Sequence, residues 1–88
     1  MAHLTLVVSN ERPEHPQRHS GELLLRLGLM AQAAGGERDL VAAHKWMILA
    51  ALQGNVEARS HRRQLARHLT PEQIAEAHRQ ARAWLERH

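Results

Sequence analysis

The sequence predicts an all-α domain, and three observations carry this prediction. Apolar residues make up 43% of the 88, and they are almost all Ala, Leu, Val, Ile or Met, because the chain has two Trp and no Phe or Tyr. Ala and Leu are strong helix formers. From residue 20 onward, apolar residues recur at helical spacing, and turn signals separate four such segments. The length suits one domain, so we expect antiparallel helix–turn–helix packing, an α/α solenoid-like arrangement with a C-terminal capping helix.

The first two helices are predicted from the residues at their ends. The first covers residues 21–34, where Ser20 is the expected N-cap and a pair of glycines stops the helix. The second covers residues 40–53, with Asp39 as its expected N-cap. Gly54 follows the second helix, where a glycine provides the left-handed backbone that turns the chain back.

The third and fourth helices are predicted in the same way. The third covers residues 56–69, with Asn55 as the expected N-cap. The fourth covers residues 71–87 and has the clearest start in the chain. Thr70 is its N-cap, a proline follows at the first helical position, and Gln73 lies at the capping-box position.

The helices differ in how much of their circumference is apolar. On the fourth helix, apolar residues occupy one arc of about 100°, so it is expected on the outside of the domain. The first and second helices are apolar nearly all round and need neighbours on more than one side. Because two further helices are too few to cover both, we expect an apolar patch that binds a partner or a second copy.

Residues 1–19 differ from the rest of the chain. An alternating apolar run, Leu4 to Val8, is followed by a polar linker that contains Pro13 and Pro16. Three outcomes stay open for this segment: a disordered tail, an extended arm over its own helices or a neighbour's, or a strand paired with its own copy. The segment lacks the features of a secretory signal, so the chain is expected in the cytoplasm.

Small, acidic and aromatic residues follow a fixed spacing between the first and third helices. In chain order they are Leu27, Gly28, Asp39, Ala43, Trp46, Ala50, Ala51, Gly54 and Ala58. With this spacing the segment from Leu23 to Leu69 resembles the Sel-one-like repeat, a tetratricopeptide-like family of stacked helix–turn–helix units. The tail from Thr70 to Leu85 is similar to the last helix that often follows such repeats in bacterial proteins.

The resemblance implies a function as well as a fold. It identifies residues 20–88 as a Sel-one-like helical domain, and such families act as scaffolds or adaptors that bind other proteins. The chain departs from the family at Ala31 and Met47, where aromatic residues are usual. Only one full repeat is present, and solenoids normally need about three for stability. We therefore expect self-association in addition to binding of a protein partner.

Residues suited to catalysis or metal binding are hard to find. Cysteine is absent, which excludes disulfides and thiol chemistry. His15 and His19 are four apart but flank a proline, and His61 and His68 are two helical turns apart and are expected in solvent. Ser60 precedes His61 directly, and adjacent helical residues point about 100° apart, so they form no nucleophile–base pair. We expect no enzyme activity, no cofactor, no metal and no membrane span.

The third helix carries the most distinctive charge pattern in a chain of net charge +3. Arg59, Arg63 and Arg67 form a row at i, i+4 and i+8, and Arg62 lies beside it. Three interpretations stay open: a solvated face, a surface that binds an acidic protein, and a surface that binds phosphates of nucleic acid. The leading hypothesis is a non-enzymatic interaction module, and the alternative is a small basic nucleic-acid-binding protein that uses this row.

Overall fold

The computed structural model describes residues 20–87, and these form four α-helices. Helix α1 spans Gly21–Ala34, α2 spans Glu37–Leu52, α3 spans Val56–Ala66 and α4 spans Pro71–Arg87. Because no strand occurs between residues 20 and 87, the prediction of an all-α fold with four helices is confirmed. Residues 1–19 lie outside the described residues, as does the expected tail, arm or strand.

Three of the predicted helix starts are confirmed by their capping hydrogen bonds. The Ser20 hydroxyl accepts a hydrogen bond from the Leu23 N–H at 3.1 Å. The Asn55 amide oxygen accepts one from the Ala58 N–H at 2.8 Å. At the start of α4, the Thr70 hydroxyl accepts from the Gln73 N–H at 3.1 Å while the Gln73 side chain accepts from the Thr70 N–H at 2.8 Å. Each bond pairs a backbone donor that the helix itself leaves free.

The turn after α2 uses glycine as the sequence predicted. Gly54 has a φ of 91°, in the left-handed region that residues with a Cβ avoid. Its N–H donates to the carbonyl of Ala51 at 3.0 Å, and the Asn55 N–H donates to the carbonyl of Ala50 at 3.1 Å. These two bonds form a Schellman motif, which pairs the last carbonyls of α2 and directs the chain into α3.

The start of α2 differs from the prediction, which placed it at Leu40 with Asp39 as N-cap. The helix begins at Glu37, and the N-cap is Gly36. Asp39 lies in the first turn, where its carboxylate accepts a hydrogen bond from the Gly36 N–H at 3.3 Å. A carboxylate is favourable both at the N-cap and in the first helical turn, so the residue type alone did not fix the register.

The end of α3 also differs, because the helix stops at Ala66 and not at Leu69. The N–H groups of residues 67–69 donate to carbonyls three residues back, at 3.2, 2.9 and 3.4 Å. This tighter winding is common at helix ends. It turns the chain ahead of Pro71, which starts α4, and it leaves the Leu69 side chain buried.

Helix α2 lies at the centre of the domain. It packs against α1, α3 and α4, and each of these contacts α2 more extensively than it contacts another helix. Its buried residues extend along most of its length; they are Val41, Ala43, His44, Met47, Ile48, Leu49 and Ala50. By contrast, α4 buries only Ala77 and Ala81 and lies on the outside, as predicted.

The contact between α1 and α2 depends on small residues. A Cβ added at Gly28 would lie 2.7 Å from the Cε of Met47, 3.0 Å from its Sδ and 3.3 Å from the Cβ of Trp46. Met47 is fully buried, so a side chain at Gly28 would force the end of the Met47 side chain to shift within a packed core. Ala43 and Ala50 are also fully buried, and their small side chains add little bulk to α2 at this contact. The two helices therefore approach closely at this position.

Replacement of Gly28 by Val should disrupt this contact. Overpacking of a buried site costs about 1–3 kcal/mol, and we expect the free energy of unfolding to fall by about 2 kcal/mol. Ala33→Val is the matched control, because Ala33 is exposed on the same helix and the change also introduces a β-branched residue. Chemical denaturation measures both variants, and equal losses would show that Gly28 imposes no packing constraint.

Candidate interaction surfaces

Helix α1 has an uncovered apolar edge, which we call the α1 stripe. It consists of Leu23, Leu27, Met30 and Ala34, whose 4–3–4 spacing places them within an arc of about 60°. Leu23 is 38% exposed and Met30 is 68% exposed, while Leu27 packs partly against the core. Since α1 packs mainly on α2, no other described helix covers this edge.

The row of arginines, which runs along α3 to its C-cap at Arg67, faces solvent. Arg59, Arg63 and Arg67 are exposed, and within residues 20–87 none of them forms an ion pair. Arg62 differs from them, because it is half-buried and its charge acts on His44 in α2. The fully exposed part of the basic face therefore consists of three arginines and not four.

His44 is a buried polar residue of α2. It is 2% exposed, and its Nδ1 has no hydrogen-bond partner among the described residues. Its ring meets that of His78 on α4 edge to face, with centroids 6.0 Å apart. Burial, the positive charge on His78 when protonated and Arg62 together lower the pKa of His44 to about 4. The sequence signal for its burial is its position one helical turn from both Val41 and Ile48.

The two tryptophans join α2 to α4. The rings of Trp46 and Trp84 meet edge to face, with centroids 5.9 Å apart and planes at 83°. This geometry is favourable for aromatic pairs. The ammonium of Lys45 lies 4.2 Å from the centroid of the Trp46 ring, and burial together with the charge of Arg87 lowers the pKa of Lys45. Both indoles therefore serve packing between helices at this edge.

An open groove separates the start of α2 from α4. Its volume is about 670 Å³. The Gln73 side-chain amide bridges the two helices by donating to the Glu37 carboxylate at 3.1 Å. Glu76 is already engaged, because it pairs with Arg79 and accepts from Gln80 at 2.8 Å. The acidic side chains of the groove are thus largely held by neighbours on the same chain.

The residues of the Sel-one-like motif take structural positions. Ala43, Ala50 and Ala58 are fully buried, and Gly28 is buried in the α1–α2 contact. The rest lie at the edges of the core or in turns; they are Leu27, Asp39, Trp46, Ala51 and Gly54.

The residues considered for metal binding or catalysis are not brought together. His61 lies 3.9 Å from the Glu57 carboxylate, His68 is exposed, and Ser60 faces solvent. Between residues 20 and 87, no three His, Asp or Glu side chains converge on a point where a metal ion would fit. His15 and His19 lie outside the described residues.

The buried imidazole of His44 predicts a loss of stability in acid. In the unfolded chain a histidine takes up a proton near its ordinary pKa of 6.5, whereas in the fold the pKa of His44 is about 4. The folded state is therefore most favoured above pH 6.5 and loses stability as the pH falls toward 4. By linkage, the free energy of unfolding should drop by about 2 kcal/mol between pH 8 and pH 5 from this residue alone.

Urea denaturation at both pH values tests this prediction. His44→Leu should remove most of the drop, since it eliminates both the titrating group and the unpaired Nδ1. His68→Gln is the control, because His68 is exposed and its loss should leave the drop intact. If His44→Leu keeps the full pH dependence, His44 is not its source.

Comparisons with known proteins do not place the chain in a family. No protein family, no curated protein and no solved structure matches it. None of the helices between residues 20 and 87 has both the length and the apolarity needed to cross a bilayer. The function must therefore be inferred from the surfaces described above.

Proposed function

We propose that this chain is a non-enzymatic protein-interaction module, a scaffold or adaptor of the Sel-one-like type. The observation that supports it is the α1 stripe, an apolar edge that the other described helices leave open. Exposed apolar surface of this kind, rimmed by polar residues, marks sites of protein binding. The cytoplasmic location expected from the sequence belongs to the same proposal, as does a bacterial origin, because the tail resembles a helix found in bacterial proteins.

The chemistry of the partner follows from two surfaces. Leu23 and Met30 offer an apolar anchor site for aliphatic or aromatic side chains of the partner. The exposed arginines of α3, without acidic partners of their own, attract a protein of negative charge and increase the rate of encounter. The partner we propose is therefore an acidic protein with an apolar contact segment.

The Sel-one-like type is supported by packing, not by a family match. Repeats of this kind stack helices closely, which requires small residues at the contacts. Gly28, Ala43 and Ala50 meet that requirement between α1 and α2. Ala58, fully buried on α3, does so where the next unit would begin.

Self-association is the second part of the proposal on partners. Two copies can pair through their α1 stripes, since each presents the same 4–3–4 apolar spacing. The stripe covers only a few hundred Å², so the dimer is weak. Sedimentation from micromolar to millimolar concentration tests it: the mass should rise toward that of a dimer, and a folded monomer throughout would refute self-association.

A charge placed on the α1 stripe should abolish partner binding without unfolding the domain. Met30→Asp puts a carboxylate where the proposed anchor residue of the partner docks. Affinity capture from the native cell should retain a defined set of proteins with the unchanged chain and lose them with Met30→Asp. Leu52→Asp is the matched control, because Leu52 is 63% exposed, close to the 68% of Met30, and lies off the stripe.

The control variant decides the outcome. Retention of the captured proteins by Leu52→Asp, together with their loss from Met30→Asp, supports the α1 stripe as the binding site. If both variants retain the same proteins, or both lose them, the stripe is not the site. Circular dichroism of the two variants confirms that both remain helical.

A second candidate function is nucleic-acid binding, and the exposed row Arg59, Arg63 and Arg67 favours it. Three phosphate contacts on a duplex give a slope of about −2.7 for log affinity against log salt. Arg59→Glu together with Arg63→Glu should remove this binding, whereas Arg82→Glu, an exposed arginine on α4, should reduce it only slightly. Absence of binding to duplex or single strands at low salt would end this second candidate.

A further inference from the structure

The open edge of α1 raises the question of what lies against it when no partner is bound. We propose that residues 4–8 of the same chain dock on the α1 stripe as an apolar arm, which a partner must displace. The arm's regulatory role rests on the proposed function, whereas the docking itself does not. Residues 4–8 belong to the segment outside the described residues, so the argument starts from their sequence, their distance along the chain and the size of the stripe.

The sequence of the arm suits an apolar edge. Leu4, Leu6 and Val8 alternate with Thr5 and Val7, so in an extended chain the first three point to one side. The eleven residues that follow, 9–19, contain no large apolar side chain. Residues 4–8 are thus the one apolar run between the start of the sequence and α1.

The point of attachment favours docking on α1. Residues 9–19 join the arm to Ser20, which is the N-cap of α1 itself. Fully extended, these eleven residues reach about 36 Å. Helix α1, with 14 residues, is about 21 Å long. The arm can therefore reach any part of the α1 stripe from its own attachment point.

The size of the stripe favours a tethered occupant over a free one. A stable interface between two separate proteins buries at least about 1,000 Å². The α1 stripe offers only a few hundred Å², because Leu23 and Met30 are its main exposed side chains. A tethered segment docks at an effective concentration of about millimolar, and it loses little translational freedom on docking. A small apolar edge is thus sufficient for the arm, whereas a second copy binds it only weakly and a protein partner needs a further contact, such as the exposed arginines.

Oxidation of Met30 tests the proposal with the full chain and without any partner. Hydrogen peroxide converts exposed methionine to its sulfoxide, and peptide mass spectrometry measures the rate at each methionine. Met30 should react slowly in the unchanged chain because the arm covers it. In a variant with Leu4→Asp and Leu6→Asp it should react several-fold faster. Met47 is fully buried and is the internal reference for an intact fold.

The matched control places the same charges on the other side of the arm. A variant with Thr5→Asp and Val7→Asp carries two new carboxylates in the same segment but keeps Leu4, Leu6 and Val8. In this variant Met30 should be oxidised as slowly as in the unchanged chain. Equal acceleration in both variants would contradict docking by one side of the arm.

Two further outcomes would overturn the proposal. If Met30 reacts at the same high rate in the unchanged chain and in both variants, nothing covers the stripe. If Met30 is protected only at high protein concentration, a second copy covers it and not the tethered arm. Neither outcome changes the result expected from affinity capture with Met30→Asp. A failure of the docking proposal is therefore distinguishable from a failure of the proposed function.

Discussion

The close packing of the other helices around α2 is the constraint on which the rest of the structure depends. Seven of the buried side chains lie on α2, and no other described helix has as many. At Gly28 the packing is tight enough that an added Cβ would lie 2.7 Å from the Cε of Met47. The three helices around α2 therefore contact one another little, and each keeps a large solvent-facing side.

The surfaces follow from this arrangement. Helix α1 has more apolar positions than its contact with α2 can bury, and the surplus appears as the α1 stripe. Helix α3 buries Ala58 and Leu65 and leaves Arg59 and Arg63 in solvent. Both candidate binding surfaces are thus the outward sides of helices whose inward sides are fixed by α2. The unfavourable feature of this packing is His44, a polar side chain of α2 that is buried near Arg62 of α3 and His78 of α4.

Much of the fold can be predicted from the sequence, because capping is local chemistry. Ser20, Asn55 and Thr70 each pair with an N–H three residues away, and Gly54 adopts the left-handed conformation that its position requires. Such interactions depend on a few neighbouring residues and are readable from them. The all-α class follows from the same signals together with composition.

The remaining features depend on contacts between helices, which a single sequence does not specify. Asp39 is favourable both as an N-cap and in the first turn of a helix, so its residue type does not decide between the two positions. The burial of His44 and the half-burial of Arg62 depend on how α3 and α4 lie against α2. The α1 stripe was expected only as an apolar surplus on the first two helices, because its location requires knowing which side of α1 faces α2.

Native-state hydrogen exchange tests the central position of α2 most directly. Amide protection reports the free energy of the opening that exposes each N–H. If α2 is the helix against which the others pack, its central amides, from Ala43 to Ala50, exchange only through global unfolding. They should then be the slowest in the domain, with α1 and α4 opening at lower free energy. Central α2 amides that exchange as fast as those of α1 or α4 would contradict the account.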